Sequence, residues 1–534
     1  MNVKFFLATF AMAVMASAVL SAERPDIVII LADDMGYSDL GCYGGEIETP
    51  NLDKLAAGGL RFTQFYNTAR CCPTRASLLT GVYPHQADVG NMVSDQHVPG
   101  YRGRLNPNTP TIAECLGGEN GYRTFMAGKW HVSPFDYATR EAPDPGSWPC
   151  RRGFDHVYAA LTGGGSYYDP RGLMRDDRFI EPGRENYYYT DAISDEAARY
   201  VRNHAGDRRP MFMYVAYTAP HWPLHARPDD IARYRDRYRK GWDVLRKERL
   251  TRMNALGLVD DRWRLTQRDR RVGAWEDVEQ KDWEMERMAV YAAQIDAMDR
   301  GIGRIVDALR ETGRLENTLL MFLADNGGCD EIMNAEDTEY RKNYYHYPVD
   351  DLKAGNVPGL MPGPRNTFAS YGVGWANLSN TPFRLYKKRI HAGGTSTPLI
   401  VHWPRGIKAQ GEFRRQPGHV IDLLPTCLDA GGVSFPKRFG DREPIPPEGT
   451  SLRPAFSGDS LPERAIYWEH VGNRGVRQGN WKLVGLRGKP WELYDLKNDP
   501  TEMIDLADKL PDRVAAMKAM YGRWAKRCHV LKPK

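Results

Sequence analysis

Asp26-Ile-Val-Ile-Ile-Leu-Ala32 runs straight into Asp33-Asp34-Met-Gly-Tyr37. After Asp26 the run is unbroken and apolar, and largely β-branched. That pattern predicts a strand buried on both faces, ending in two adjacent carboxylates. Just downstream, Thr49-Pro50 reads as a helix cap with proline at the first helical position, and Gly58-Gly59 stops that helix. Leu60 to Tyr66 predicts a second strand. Thr109-Pro110 opens a further helix, and Arg123 to Ala127 is a short strand. Met211 to Ala219, Thr318 to Ala324 and Thr397 to His402 are three more strands. Ile295, Met298, Ile302, Ile305 and Leu309 recur at the three-to-four spacing of a long helix. Strands alternating with helices predict an α/β fold with a parallel sheet covered on both faces.

Two stretches break the rhythm. Arg227 to Met288 is dense in Arg, Asp, Glu and Trp, and predicts surface helices forming a solvated face over the sheet edge. Asn334 to Asn380 is rich in Tyr, Gly, Pro and Asn without periodicity, and long irregular loops in compact domains are commonly functional. After Ser457, Ala465 to Glu469, Trp481 to Val484 and Trp491 to Tyr494 are short strands, and a last helix starts at Pro511. These predict a small antiparallel C-terminal subdomain. At the other end, Lys4, the apolar run Phe5 to Leu20 and small residues at Ala16, Ala18 and Ala22 have the parts of a cleaved secretory leader; Thr9 and Ser17 argue against an uncleaved anchor. The reading is a leader over 1–22, a catalytic domain over 23–457 and the subdomain over 458–534, in a protein exported to the periplasm or secreted.

Composition sets bounds on function. Among 534 residues, Lys plus Arg is 73 and Asp plus Glu is 68, a net charge of +5 with mixed signs, which disfavours a nucleic-acid binder. Hydrophobic residues make up 42%, enough for a sizeable core, and eight cysteines are too sparse for a disulfide scaffold.

In open α/β sheets, ligands gather beyond the carboxyl ends of the strands. Here those ends carry Asp33-Asp34, Gly128-Lys129-Trp130-His131, Pro220-His221 and Asp325-Asn326-Gly327-Gly328. Asp33, Asp34, Asp325 and Asn326 offer oxygen ligands suited to a hard cation, Ca²⁺ or Mg²⁺. Lys129, His131 and His221 add positive charge and protons. The implied substrate is a phosphate, phosphonate or sulfate group.

Cys71-Cys72-Pro73-Thr74-Arg75-Ala76-Ser77-Leu78-Leu79-Thr80-Gly81 places a cysteine at the start of a helix, where anions are stabilised, with Arg75 near to pair with an anion or with the carboxylates. This segment resembles the signature of the type I sulfatases, Cys-x-Pro-Ser/Thr-Arg followed by Leu-Thr-Gly, and the likeness extends over nearly the whole mature chain. It implies an alkaline-phosphatase-like three-layer α/β/α sandwich with a mainly parallel sheet and the small C-terminal antiparallel sheet. It also implies an arylsulfatase-like sulfuric ester hydrolase. By the same resemblance, Cys71 is oxidised to formylglycine by a formylglycine-generating or sulfatase-maturating enzyme. Asp33, Asp34, matured Cys71, Asp325 and Asn326 would then hold the cation, expected to be Ca²⁺ with Mg²⁺ as the alternative. Lys129 and Lys387 would bind sulfate, His221 would protonate the leaving oxygen, and His131 would take the proton from the second hydroxyl of the hydrate. Lys387 lies in the basic run Lys387-Lys388-Arg389 and is selected by the resemblance alone. Two departures stand out: Thr74 replaces the commoner Ser but keeps its hydroxyl, and Ala392 occupies the place of a usual Glu before Gly393-Gly394, which puts that loop's support in question.

The expected substrate is a sulfated carbohydrate or an aryl sulfate, and His225 is a candidate contact for the leaving group. No nucleic-acid partner is expected, nor any membrane contact once the leader is removed. The alternatives are a phosphonate monoester or phosphodiester hydrolase of the same superfamily and, more remotely, an inactive sulfoglycan-binding protein.

Overall fold

The computed structural model describes residues 23–531; the expected leader lies outside the described residues. All seven residues of Asp26–Ala32 (β1) are buried. Val28, Ile30 and Ala32 enter one apolar layer, while Ile27, Ile29 and Leu31 enter the other. This is the period-two alternation of a strand at the centre of a sheet.

The strands that place the site follow as Leu60–Tyr66 (β2), Arg123–Lys129 (β3), His156–Ala160 (β4), Met211–Ala216 (β5), Thr318–Ala324 (β6) and Ser396–His402 (β7). They lie in the order β2-β7-β6-β1-β5-β3-β4, with short strands extending both edges. β1 is parallel to β5 and β6, and β3 is parallel to β5 and β4. Pro50–Ala57 (α1), Tyr189–Asn203 (α3) and Lys281–Glu311 (α4) cover the first layer, while Cys71–Thr80 (α2) and Leu423–Gly431 (α5) cover the second. The chain is thus a three-layer α/β/α sandwich. A four-stranded antiparallel sheet, Ala465–His470 (β8), Asn473–Gln478 (β9), Trp481–Gly485 (β10) and Glu492–Asp495 (β11), packs under Pro511–Arg527 (α6) through Val476, Leu483, Leu493 and Met517.

Several expectations change in detail. β7 is antiparallel to both β6 and β2, so it is not one more parallel strand. After β6 the chain stays at that strand's carboxyl end and enters β7 from there, without the crossover a parallel pair requires. The helix expected from Thr109-Pro110 starts at Ile112, because the Thr111 hydroxyl accepts from Glu114 N–H while the Glu114 carboxylate accepts from Thr111 N–H. β9 escaped the reading, since Asn473-Arg-Gly-Val-Arg-Gln478 lacks the strand pattern and is held by pairing on both sides. Arg227 to Met288 is helical in part and keeps an exposed face, but its tryptophans are buried: Trp242 meets Trp275 and Trp375 edge to face at 4.8 and 5.2 Å. The stretch Asn334 to Asn380 forms a small aromatic cluster of its own, with Tyr344, Tyr345 and Phe368 buried and Trp222 packed against it.

Candidate active site

The ends of β1, β3, β5 and β6 bring their polar residues to one buried place. Asp33 N–H donates to Ala219 O and Asp325 N–H to Ala32 O, each at 3.0 Å, so the strand-end loops are tied to one another. Asp34 adopts φ 63°, a left-handed conformation Asp tolerates. Gly128, φ 115°, lets β3 close on β5, since a Cβ there would lie 1.9 Å from Ala216 O. This close approach delivers Lys129, the last residue of β3, into the centre rather than beyond the strand's end.

Arg75 is fully buried at the hub. Its guanidinium donates to Asp325 Oδ2 at 2.9 Å, to Asp33 Oδ2 at 3.2 Å and to the Lys129 carbonyl at 2.9 Å. Lys129 Nζ bonds Asp33, and Lys387 Nζ bonds Asp34 Oδ1 at 2.7 Å. Asn326 Nδ2 donates to Asp34 Oδ1 at 2.7 Å, and His221 Nε2 lies 3.4 Å from Asp34 Oδ2. Burial and the neighbouring Asp325 push the Asp33 carboxyl up to about 7. Burial acts the same way on Asp34, but Lys387 and His221 overcome it and hold that carboxyl low.

Two oxygens in this centre, Asp33 Oδ1 and Asn326 Oδ1, are buried without any hydrogen-bond partner. Buried acceptors are rarely left unpaired, and adjacent carboxylates repel. Asp33, Asp34 and His221 also present ligand atoms within 4.8 Å of one another. An all-oxygen set of Asp33, Asp34, Asp325 and Asn326 with orphaned acceptors fits a hard divalent cation.

Cys71 begins α2 and is buried beside this centre. Contact with Cys72, together with the nearby Lys129, His131 and Lys387, holds the Cys71 thiol well below its ordinary range despite burial. The position therefore favours negative charge. Cys72 Sγ contacts His131 Nε2 at 3.3 Å, and burial pulls His131 down to about 4, keeping its ring neutral. His221 Nδ1 donates to the Trp222 carbonyl at 2.6 Å, which leaves Nε2 facing the site.

Structure adds residues that sequence reasoning missed. Gly163 and Gly164 pack against the two histidines: a Cβ on Gly163 would meet His131 Nε2 at 2.1 Å, and one on Gly164 would meet His221 Cε1 at 3.0 Å. The triple glycine at 163–165 was the available signal. Glu331 accepts from Trp222 Nε1 at 2.8 Å and pairs with Arg70 at 3.1 Å, joining the neighbours of His221 and Cys71. The support in question at Ala392 comes from the C-terminal segment: Glu502 accepts from Ala392 N–H at 2.9 Å and pairs with buried Lys482 at 2.6 Å. Thr74 accepts from Thr68 N–H at 3.0 Å through its retained hydroxyl.

His225 departs from its expected role. It is fully buried, with Nδ1 accepting from Tyr167 N–H and Nε2 bonding the Thr367 carbonyl at 2.7 Å. Both ring nitrogens are committed to backbone, so none is left for a leaving group.

Comparison with known proteins agrees over most of the chain. A family model described as Sulfatase matches residues 25–433, and one described as N-sulphoglucosamine sulphohydrolase, C-terminal, matches residues 382–521. An arylsulfatase of Klebsiella aerogenes is 34% identical over 471 residues, covering 85% of this chain and 96% of its own. An uncharacterized sulfatase of Schizosaccharomyces pombe is 32% identical over 499 residues, covering 87% and 86%. A protein solved in complex with its substrate, D-glucosamine-2-N,6-O-disulfate, shares the fold with a TM-score of 0.62 at 20% identity, over 96% of this chain and 99% of its own. Among the described residues no helix is long and apolar enough to cross a membrane.

Proposed function

Because the chain belongs to the sulfatase family and is a sulfuric ester hydrolase, we propose that it is exported and cleaves sulfate esters of a carbohydrate, with Cys71 matured to formylglycine and a calcium ion as its cation. The observation that carries this reading is the placement of Cys71, buried as the first residue of α2 with His131 within 4.8 Å and the orphaned acceptors of Asp33 and Asn326 in the same centre. Matured Cys71 would supply a hydroxyl nucleophile through its hydrate. A calcium ion held by Asp33, Asp34, Asp325 and Asn326, with matured Cys71 joining them, would supply Lewis acidity at that hydroxyl and at the sulfate.

This chain's own residues do the rest. Arg75 holds Asp33, Asp325 and the Lys129 carbonyl in fixed relation. The ammonium groups of Lys129 and Lys387 bind sulfate oxygens and offset charge as it spreads in the transition state. His221, in its doubly protonated form with Asp34 beside it as counter-charge, gives the Nε2 proton to the departing oxygen while the Trp222 carbonyl holds Nδ1–H. Neutral His131 accepts a proton from the second hydroxyl, releasing sulfate. A sugar leaving group is supported by the half-buried Trp222 beside His221, backed by buried Tyr344 and Phe368 with ring centroids 5.4–6.0 Å apart. Export is supported by the basic, apolar and small-residue parts of the leader.

Mass spectrometry of the peptide containing Cys71 tests the nucleophile: formylglycine is expected, and fully active protein with an unmodified thiol would refute it. Assayed side by side, an aryl sulfate should be turned over far faster than an aryl phosphodiester; the reverse ranking would move the enzyme to the phosphodiester hydrolases. Across a panel of sulfated saccharides, at least one should outcompete the aryl sulfate.

A further inference from the structure

A cleft of about 730 Å³ opens beside the loop that carries Lys387. Five arginines line it: Arg268, Arg270 and Arg271 from the segment read as a solvated face, and Arg384 and Arg389 from either side of Lys387. The carboxylates within its wall are already spent. Glu502 holds Lys482, and Asp269 is paired with Arg271 at 2.8 Å. Arg268 and Arg384 are paired with Asp243 and Glu492. Arg270 is left without a counter-ion among the described residues, and Arg389 with only a long, shared one. Arg270 is exposed and has no ion pair or hydrogen bond among the described residues. The carboxylate nearest to Arg389, Asp330, lies 4.0 Å away and is already held by Arg271 at 2.9 Å. The half-buried Leu385 and Leu486 and the exposed Met503 give the same cleft an apolar surface.

The cleft is built from the same segments as the active centre. Asp330 meets the cleft arginines, while the next residue, Glu331, bonds Trp222 and Arg70 at the rim of the active site. Tyr386 lines the cleft, and Lys387 beside it reaches Asp34. Guanidinium groups that lack a close carboxylate of their own favour sulfate or carboxylate, and an apolar wall favours the faces of sugar rings.

We propose that this cleft is a second anion subsite, which binds a sulfate or carboxylate on a remote sugar of an oligosaccharide whose scissile sulfate lies at Cys71. The inference rests on the sulfatase reading and adds that the substrate is a polyanionic chain rather than a single sulfated sugar.

The probes are a labelled heparin hexasaccharide, for sulfate, and a labelled hexagalacturonate, which carries carboxylates alone. Binding is followed by fluorescence anisotropy at low salt, and turnover of 4-nitrophenyl sulfate is measured in parallel. The wild type should bind at least one probe. Arg270→Glu and Arg389→Glu should each weaken that binding about tenfold, with Arg270→Glu leaving 4-nitrophenyl sulfate turnover within about twofold. The probe bound more tightly identifies the anion. Failure of the wild type to bind either probe, or equal binding by wild type and Arg270→Glu, would overturn the proposal. Loss of 4-nitrophenyl sulfate turnover in the wild type would count instead against the sulfatase reading.

Discussion

Two fully buried arginines sit among carboxylates in this protein, and they are finished differently. Arg249 binds Glu46 through two parallel bonds at 2.7 and 2.8 Å and Asp39 at 2.8 Å. Asp39 Oδ2 accepts in turn from Gly36 N–H and the Tyr291 hydroxyl, so both carboxylates have partners on each oxygen. Arg75 also spans two carboxylates, yet around it Asp33 Oδ1 and Asn326 Oδ1 are left with none. A closed network of this kind fixes a fold. An open one keeps acceptors for something that arrives later, and its lysines and histidines stand ready for chemistry.

The comparison can be broken at either end. At the open centre, Cys71→Ala should lower sulfate release by about 10⁴-fold or more with the melting temperature almost unchanged. Release at the wild-type rate would remove Cys71 from the mechanism. At the closed centre, Arg249→Met should cost about 3–5 kcal/mol in a denaturant titration, because it leaves buried Asp39 without a cation and Glu46 with Arg252 alone. Calcium bound per folded molecule should stay constant. The matching change, Asp325→Asn, should lower turnover about 10²–10³-fold and strip calcium on dialysis, as measured by atomic emission. Retained calcium in that variant would mean the orphaned oxygens are not its site. His221→Ala sharpens the picture within the open centre: a loss of about 10²-fold is expected on an alkyl sulfate and much less on 4-nitrophenyl sulfate, whose leaving group needs no proton. Equal losses would take the proton-donor role from His221. The smallest effect is expected for Glu502→Gln, a few-fold rise in KM as the Lys387 loop loosens, with Glu502→Asp closer to wild type.

Much of this was legible in the chain before any fold was drawn. The apolar run of β1, the Asp-Asp ending and the segment from Cys71 to Gly81 each carry a local pattern, and the structure brings Asp33, Asp34, Arg75, Lys129, His131, His221, Asp325 and Lys387 to one place. What stayed hidden depends on partners far away in sequence. The reversal of β7 follows from where the excursion after β6 returns, and no residue of Ser396–His402 encodes it. The role of Glu502 at Ala392 could not be read from Asp499-Pro500-Thr501-Glu502 alone. His225 looked available because it follows His221 so closely, yet its ring is absorbed into backbone hydrogen bonding. The solvated face expected over Arg227 to Met288 is present but incomplete, since residues such as Arg249 and Trp242 turn inward against carboxylates and other rings.

Cys71 lies near the start of the chain and is almost wholly enclosed, while Glu502, which steadies the loop of the second lysine, lies near its end. On the ribosome the first is made long before the second. An enzyme large enough to alter the Cys71 side chain would therefore need the chain open there, whereas a small sulfate ester needs only the gap above the finished site. Maturation would be a matter of timing, closed off once the segments that cover Cys71 have packed.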